Sequence, residues 1–257
     1  MIDLEKAENE FLKYIRKFDL ENDNLKRKQL HSLRVMKVSN KIAKNLNLSD
    51  KEIQLATLIG LLHDIGRFEQ FTKYGTFRDK DSIDHGDLAV EILKKDDYIK
   101  NYVDNETYID IIYLAIKNHN KYEIEKGLNE TQEMFCKMIR DADKIDIFYE
   151  ATAIFYTPKE IEEINQSAVT DEILTKLHEM KTINRYTLKE REKLVGVIVM
   201  LAFLFDINYK ESFEFIYNQN YIDKTFERFH FENQDTKNKM KEVQAFLNQY
   251  IEEKIKG

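Results

Sequence analysis

Six histidines are spread along the 257-residue chain, and four of them stand in apolar surroundings. His31 opens a helix-spaced stripe with Val35, Val38 and Ile42. His63 ends the apolar run of "LLHDIGRFEQ" with Asp64 directly behind it. His85 lies in "SIDHGDLAVEIL", and His119 closes the stripe Ile112, Ala115, Ile116 in "YLAIKNHN". A fifth segment, "RDADKIDIF", puts Asp143 on one stripe with Cys136, Ile139 and Ile147. Any one of these residues alone reads as a hydrogen-bonded core group or a helix cap. Together, several imidazoles and carboxylates drawn into one apolar core are costly unless something compensates them. A divalent cation does so, because neutral imidazole and carboxylate oxygen both suit transition-metal ions.

These residues have to be carried by helices. The chain has one Pro and seven Gly, too little punctuation for the many reversals of a strand-and-turn architecture. Helix starts are written as capping boxes in "SDKE" at 49–52 and "TPKE" at 157–160, the second with Pro158 at the first helical position. "TLKE" at 187–190 and "NYKE" at 208–211 repeat the signal more weakly, and Asp84 with Asp87 suits the positive end of another helix. Apolar spacing predicts helices near 3–18, 26–47, 50–65, 85–95, 106–119, 131–155, 158–166, 171–181, 188–206, 209–218 and 235–255. Segment 66–83 reads as the longest irregular stretch, with Gly66 releasing the chain from the helix before it. The fold class is all-α.

Composition narrows the function classes. With 40 Lys+Arg against 47 Asp+Glu the net charge is −7, which argues against a nucleic-acid partner, and Lys26-Arg27-Lys28 reads as a solvated helix face. A single cysteine, Cys136, rules out an internal disulfide or thiolate cluster and reads as an inert core residue. The N-terminal segment lacks a signal-peptide apolar stretch, and the run "VGVIVMLAFLF" at 195–205 is too short to span a bilayer. The expectation is a cytoplasmic protein with no membrane partner.

The order His31, then His63-Asp64, then Asp143 resembles the H…HD…D signature of the HD-domain superfamily of metal-dependent phosphohydrolases. His85 and His119 fall between the HD pair and the last Asp, as in the bimetallic branches of that family. "LLHDIGR", "DHGDLAVEIL" and "RDADKIDI" are similar to family members beyond the ligands themselves. The resemblance spans about residues 26–155, which implies one all-α domain over 1–257 with an HD core and a C-terminal helical extension from about 156. Aromatic segments of that extension, such as "ESFEFIYNQNYIDKTFERFHF", suit packing on the core or in a homo-oligomer.

Carried over residue by residue, the resemblance implies one divalent ion on His31, His63, Asp64 and Asp143, and a second on His85 and His119 with Asp64 bridging. Fe, Mn, Zn, Ni and Co all fit such ligands, and Mg is compatible. A metal-bound hydroxide would then attack phosphorus in a phosphate mono- or diester of a nucleotide or other small phosphorylated metabolite. Arg67 has the donor fork for a phosphate, against the plainer reading of an ion pair with Glu69 or a loop aspartate. Lys144 orients Asp143, meets the substrate or forms an ordinary ion pair; Gln70, Tyr74 and Arg78 lie in the long loop, where they either shape the substrate pocket or are plain polar surface. His178 and His230 lie outside the resemblance and carry no assigned chemistry. The chain lacks the GYP motif of cyclic-dinucleotide phosphodiesterases and the acidic pair of the alarmone hydrolases, since Asp64 is followed by "IGRFEQ". The same ligand pattern also occurs in di-iron oxygenases of this superfamily, and a nucleotide-binding regulatory module is the third alternative.

Overall fold

The computed structural model describes residues 2–188 and 192–257, and every regular element among them is helical, as expected of an all-α chain. The chain divides into two compact units, Met1–Asp143 and Lys144–Gly257. The first holds α1 (Leu4–Ile15), α2 (Asp23–Asn45), α3 (Asp50–Leu62), α4 (Gly66–Tyr74), α5 (His85–Lys94), α6 (Glu106–Asn118) and the N-terminal half of α7 (Glu130–Ala153).

The centre of this unit is α3. Its start is the expected capping box: Ser49 accepts from the Glu52 amide, and the Glu52 carboxylate accepts from the Ser49 amide at 2.8 Å. From Leu55 to Leu62 every residue of the helix is buried, so α3 has no solvent face in that stretch. Each fully buried Leu or Ile contributes about 1.5–3 kcal/mol of transfer free energy. That apolar surround is what allows His63 and Asp64, at the end of the helix, to be held out of water. Helices α2 and α6 flank it.

The segment 66–83 is less irregular than its composition suggests. Residues 63–65 form a tight turn, closed by Ile65 N–H donating to the Leu62 carbonyl at 3.0 Å, and Gly66 then opens α4. Gly66 is therefore a contact point and not a release point. A Cβ there would stand 2.5 Å from the His85 carbonyl oxygen and 2.8 Å from the Ala89 nitrogen, so its absence lets α4 lie directly on the α5 backbone. Phe68 and Gln70 turn inward and are buried, which fixes the helix despite its polar look. Gly75, with φ of 67°, ends α4 in the left-handed conformation that a side chain resists.

The second unit holds the C-terminal end of α7, α8 (Pro158–Gln166), α9 (Asp171–His178), α10 (Lys193–Leu201), α11 (Lys210–Asn218), α12 (Tyr221–Phe226) and α13 (Gln234–Lys256). The capping box at Thr157 and Glu160 forms with Pro158 in the first turn. The start expected at 187–190 and the first residues of the 188–206 helix fall partly outside the described residues. After α10 the apolar run tightens into a 3-10 turn, Ala202–Asp206. No described helix is long and apolar enough to cross a membrane. The helix α12 has no signal in the sequence, because Asn220 restarts the chain from a left-handed φ of 54° with no side-chain cap.

Candidate metal centre

Different elements bring the six ligand candidates to one place in the first unit. His31 lies on α2 and Asp143 on α7. His63 and His119 each stand at the C-terminal cap of their helix, α3 and α6, while His85 is the first residue of α5. The Asp84 side chain accepts from the Asp87 amide at 3.0 Å and sets the angle at which α5 begins. The last turn of α6 is tied by Arg140, which donates to the carbonyls of Asn118 at 2.8 Å and Lys121 at 2.6 Å.

Asp64 is the centre of the arrangement. Its Oδ2 lies 3.5 Å from His31 Nε2 and 3.7 Å from His63 Nε2, and its Oδ1 lies 3.4 Å from His85 Nε2 and 3.6 Å from His119 Nε2. One oxygen thus serves each histidine pair. Asp143 joins the first group, its Oδ1 lying 3.1 Å from His31 Nε2 and 3.6 Å from His63 Nε2. Asp143 keeps 16% side-chain exposure where Asp64 keeps 3%, so the group meets solvent on the Asp143 side.

Three of the imidazoles have their tautomers fixed from behind. Nδ1–H of His63 donates to the Gly60 carbonyl at 2.8 Å, that of His119 to the Ile116 carbonyl at 2.6 Å, and that of His85 to Asp79 Oδ2 at 2.6 Å. Each Nε2 then carries a lone pair directed into the cluster. Nε2 atoms nevertheless approach to 3.2 Å between His31 and His63 and 3.0 Å between His85 and His119. Two nitrogens bound at about 2.1 Å to one ion stand about 3.0–3.4 Å apart when adjacent in octahedral or tetrahedral coordination. Asp64 Oδ1 is fully buried with no hydrogen-bond donor. Converging lone pairs and an orphaned carboxylate oxygen fit a divalent cation, and the clusters His31–His63–Asp64 and Asp64–His85–His119 each satisfy the spacing for one.

Protonation suits the same role. Burial holds the His63 imidazole below its ordinary pKa, against the pull of Asp64 and Asp143. Burial and the nearby Arg67 charge take His85 down to about 3, so both rings are neutral ligands near pH 7. Burial alone would raise the Asp64 carboxyl, but the charges of Lys28 and Arg67 outweigh it and hold it well below the usual carboxylate range. Asp143 is also held well below the usual carboxylate range, with a hydrogen bond from His31 the leading influence against its burial.

Two cations border the cluster. Lys28 does not sit on a solvated face: its Nζ lies 2.8 Å from Asp64 Oδ2, and only 15% of its side chain is exposed. Lys28 stands one turn before His31 on α2, and that helical offset was the signal available in the sequence. Arg67 Nε lies 3.4 Å from Asp64 Oδ1, while its Nη1 donates to Gln70 Oε1, the Phe77 carbonyl and Asp79 Oδ1. Its loop-aspartate ion pair is thus present, with Asp79 as the partner. Lys144 pairs with Asp206 at 2.7 Å inside the second unit. Gln70 is buried beside Arg67, whereas Tyr74 and Arg78 are exposed. Asp79 and Asn120, which sequence reasoning did not single out, both reach His85.

Outside the cluster, Cys136 is fully buried, and its thiol is pushed up to about 12 by burial and Glu125, as befits an inert core group. His178 stacks on Phe246 at 4.6 Å, within the second unit.

Comparison with known families matches the HD domain model to residues 30–148. Neither the curated proteins nor the solved structures give a match. The matched residues include all six ligand candidates. Residues 30–148 of this chain are an HD domain, whose residues are compatible with divalent metal binding.

Proposed function

We propose that the chain is a metal-dependent phosphohydrolase acting on a phosphate mono- or diester of a nucleotide or another small phosphorylated metabolite. The observation that carries this reading is the placing of Asp64, with one oxygen toward His31 and His63 and the other toward His85 and His119. His31, His63, Asp64 and Asp143 would hold one divalent ion, and His85, His119 and Asp64 a second. Such ions supply Lewis acidity toward a phosphoryl oxygen and activate a water.

The protein's own contribution is position and charge. Neutral His63 and His85 offer lone pairs without first having to lose a proton. Arg67 and Lys28 place two fixed cations beside Asp64, where the oxygens of a phosphate ester would be received. The partial exposure of Asp143 gives substrate and water a way in. No side chain of the cluster has to act as a covalent nucleophile.

Metal analysis of the purified protein, followed by a phosphatase and phosphodiesterase screen over nucleotides and sugar phosphates with each candidate ion, tests the reading. Release of phosphate or a monoester that depends on added metal is the expected result. Dioxygen consumption by the iron-loaded protein, with no ester cleaved under any metal, overturns it.

A further inference from the structure

We infer that Asp79 is a positioning residue that makes His85 a ligand through Nε2 and, through its other oxygen, holds Arg67 beside Asp64. The inference rests on the two-ion reading for its consequence, though not for its geometry. Asp79 belongs to the short stretch between α4 and α5, and nothing in the "FRDKDSI" pattern marks it above its neighbour Asp81.

The Asp79 carboxylate has four donors. Its Oδ2 takes His85 Nδ1–H at 2.6 Å and Asn120 Nδ2–H at 3.2 Å. Its Oδ1 takes Arg67 Nη1–H at 3.0 Å and Gln70 Nε2–H at 2.8 Å. Gln70 also donates to the Ser82 hydroxyl and the Ile83 carbonyl, so the stretch that carries Asp79 is fastened to α4. A histidine with its Nδ1 proton committed to a carboxylate has one tautomer available, with the Nε2 lone pair forward. For His63 and His119 a carbonyl of their own helix does this, at Gly60 and Ile116. His85 begins its helix and has no preceding turn to supply one. A distant carboxylate takes that place, and the same carboxylate holds the cation nearest Asp64 Oδ1.

An amide cannot replace this carboxylate in either orientation. Asp79→Asn must turn its NH2 group either toward Arg67 and Gln70 or toward His85 and Asn120, and both ends present donors. Facing a guanidinium is the worse choice, whereas neutral His85 can move its proton from Nδ1 to Nε2. The variant therefore turns the His85 Nε2 into an N–H pointing at Asp64 and His119, and it ceases to be a ligand.

The test combines nitrogen-15 NMR of the histidine rings in the chelator-treated chain with metal titration of the same samples. His85→Gln assigns the resonance, and circular dichroism checks that Asp79→Asn remains folded. The expected result is a wild-type His85 protonated at Nδ1, an Asp79→Asn His85 protonated at Nε2, and a second ion weakened about 10–100-fold while the first is unchanged. A wild-type His85 protonated at Nε2 overturns the inference without any variant. So does an Asp79→Asn chain that keeps the Nδ1 proton and binds two ions with wild-type affinity, which leaves the two-ion reading intact. A wild-type chain that takes only one ion, with the tautomer still switching in the variant, removes the two-ion reading and supports the positioning role.

Discussion

The Nε2 atoms of His85 and His119 face each other at 3.0 Å, while the Nδ1 proton of each is committed elsewhere, to Asp79 and to the Ile116 carbonyl. No proton is then left to make that contact a hydrogen bond. Two lone pairs meet in a buried site beside Asp64 Oδ1, which has no donor of its own. A cation between them relieves the repulsion and satisfies the carboxylate, so it binds the folded chain in preference to the unfolded one. Thermal melts of chelator-treated protein should move upward on adding Mn, Fe, Co, Ni or Zn. An ion at a hundredfold excess over its Kd would contribute about 2.7 kcal/mol. Melting curves unmoved by every ion would remove the metal centre.

Asp64→Ala takes one ligand from each histidine pair. Both ions should be lost and metal-dependent ester cleavage with them, while the circular dichroism spectrum stays helical. The helices survive because their caps and apolar burial do not involve Asp64. Full metal content in the variant would sink the bridging role. An intermediate result, one ion retained, would assign Asp64 to a single pair.

Acid should weaken the metal-free fold in a defined window. The His85 pKa lies near 3 in the folded chain against an ordinary 6.5, and burial lowers His63 in the same sense. As pH falls through about 6.5 the unfolded chain takes up these protons and the folded chain does not. Their stabilising share is complete above that pH and is lost progressively down to the folded values. Asp64 and Asp143 are also depressed, so their share begins to fall near the ordinary carboxylate value of 3.8 and acts in the same direction. Urea unfolding between about pH 7 and pH 4 should show falling stability, with a shallower fall in His85→Gln. Equal slopes in the two proteins would show that His85 is not held neutral.

Arg67→Ala should separate substrate binding from metal binding. The guanidinium lies beside Asp64 but is not a ligand, so ion content should be kept. A charge-assisted hydrogen bond to phosphate contributes about 1.5–3 kcal/mol, and its loss should lower kcat/KM about 10–100-fold. Arg67→Lys, which keeps the charge and loses the fork, should fall between the two. Unchanged kcat/KM on the best ester found would place the phosphate elsewhere.

The sequence made the ligands legible because His63, His85 and His119 end or open helices, while His31 and Asp143 lie on clear apolar stripes within theirs. Capping residues did the same for the starts at Ser49 and Thr157, both of which form with their reciprocal bonds. The helix α4 was hidden because its inward residues include Gln70, a polar side chain satisfied only by tertiary partners. Lys28 is hidden for a related reason: within a basic triplet, nothing local distinguishes the lysine that turns inward to Asp64. Asp79 lay beyond reach because its significance comes from His85, Arg67, Gln70 and Asn120, residues that converge only in three dimensions.

Gly66→Ala tests whether the approach of α4 to α5 sets the His85 side of the centre. The new methyl group would meet backbone, at 2.5 Å from the His85 carbonyl oxygen and 2.8 Å from the Ala89 nitrogen, so no side chain can simply swing aside. The helices must separate, and overpacking of this kind costs about 1–3 kcal/mol. Because the contact lies on the His85 backbone, the displacement moves His85 away from Asp64, while His31, His63 and Asp143 lie on other elements. The ion held by His85 and His119 should therefore weaken more than the ion held by His31, His63 and Asp143. Gly75→Ala is the control: its φ of 67° makes alanine unfavourable, but nothing lies within 4 Å of the new methyl group. It should lower the melting temperature and leave both ion affinities unchanged. Equal weakening of both ions in Gly66→Ala, or none, would show that this helix contact does not set the His85 position.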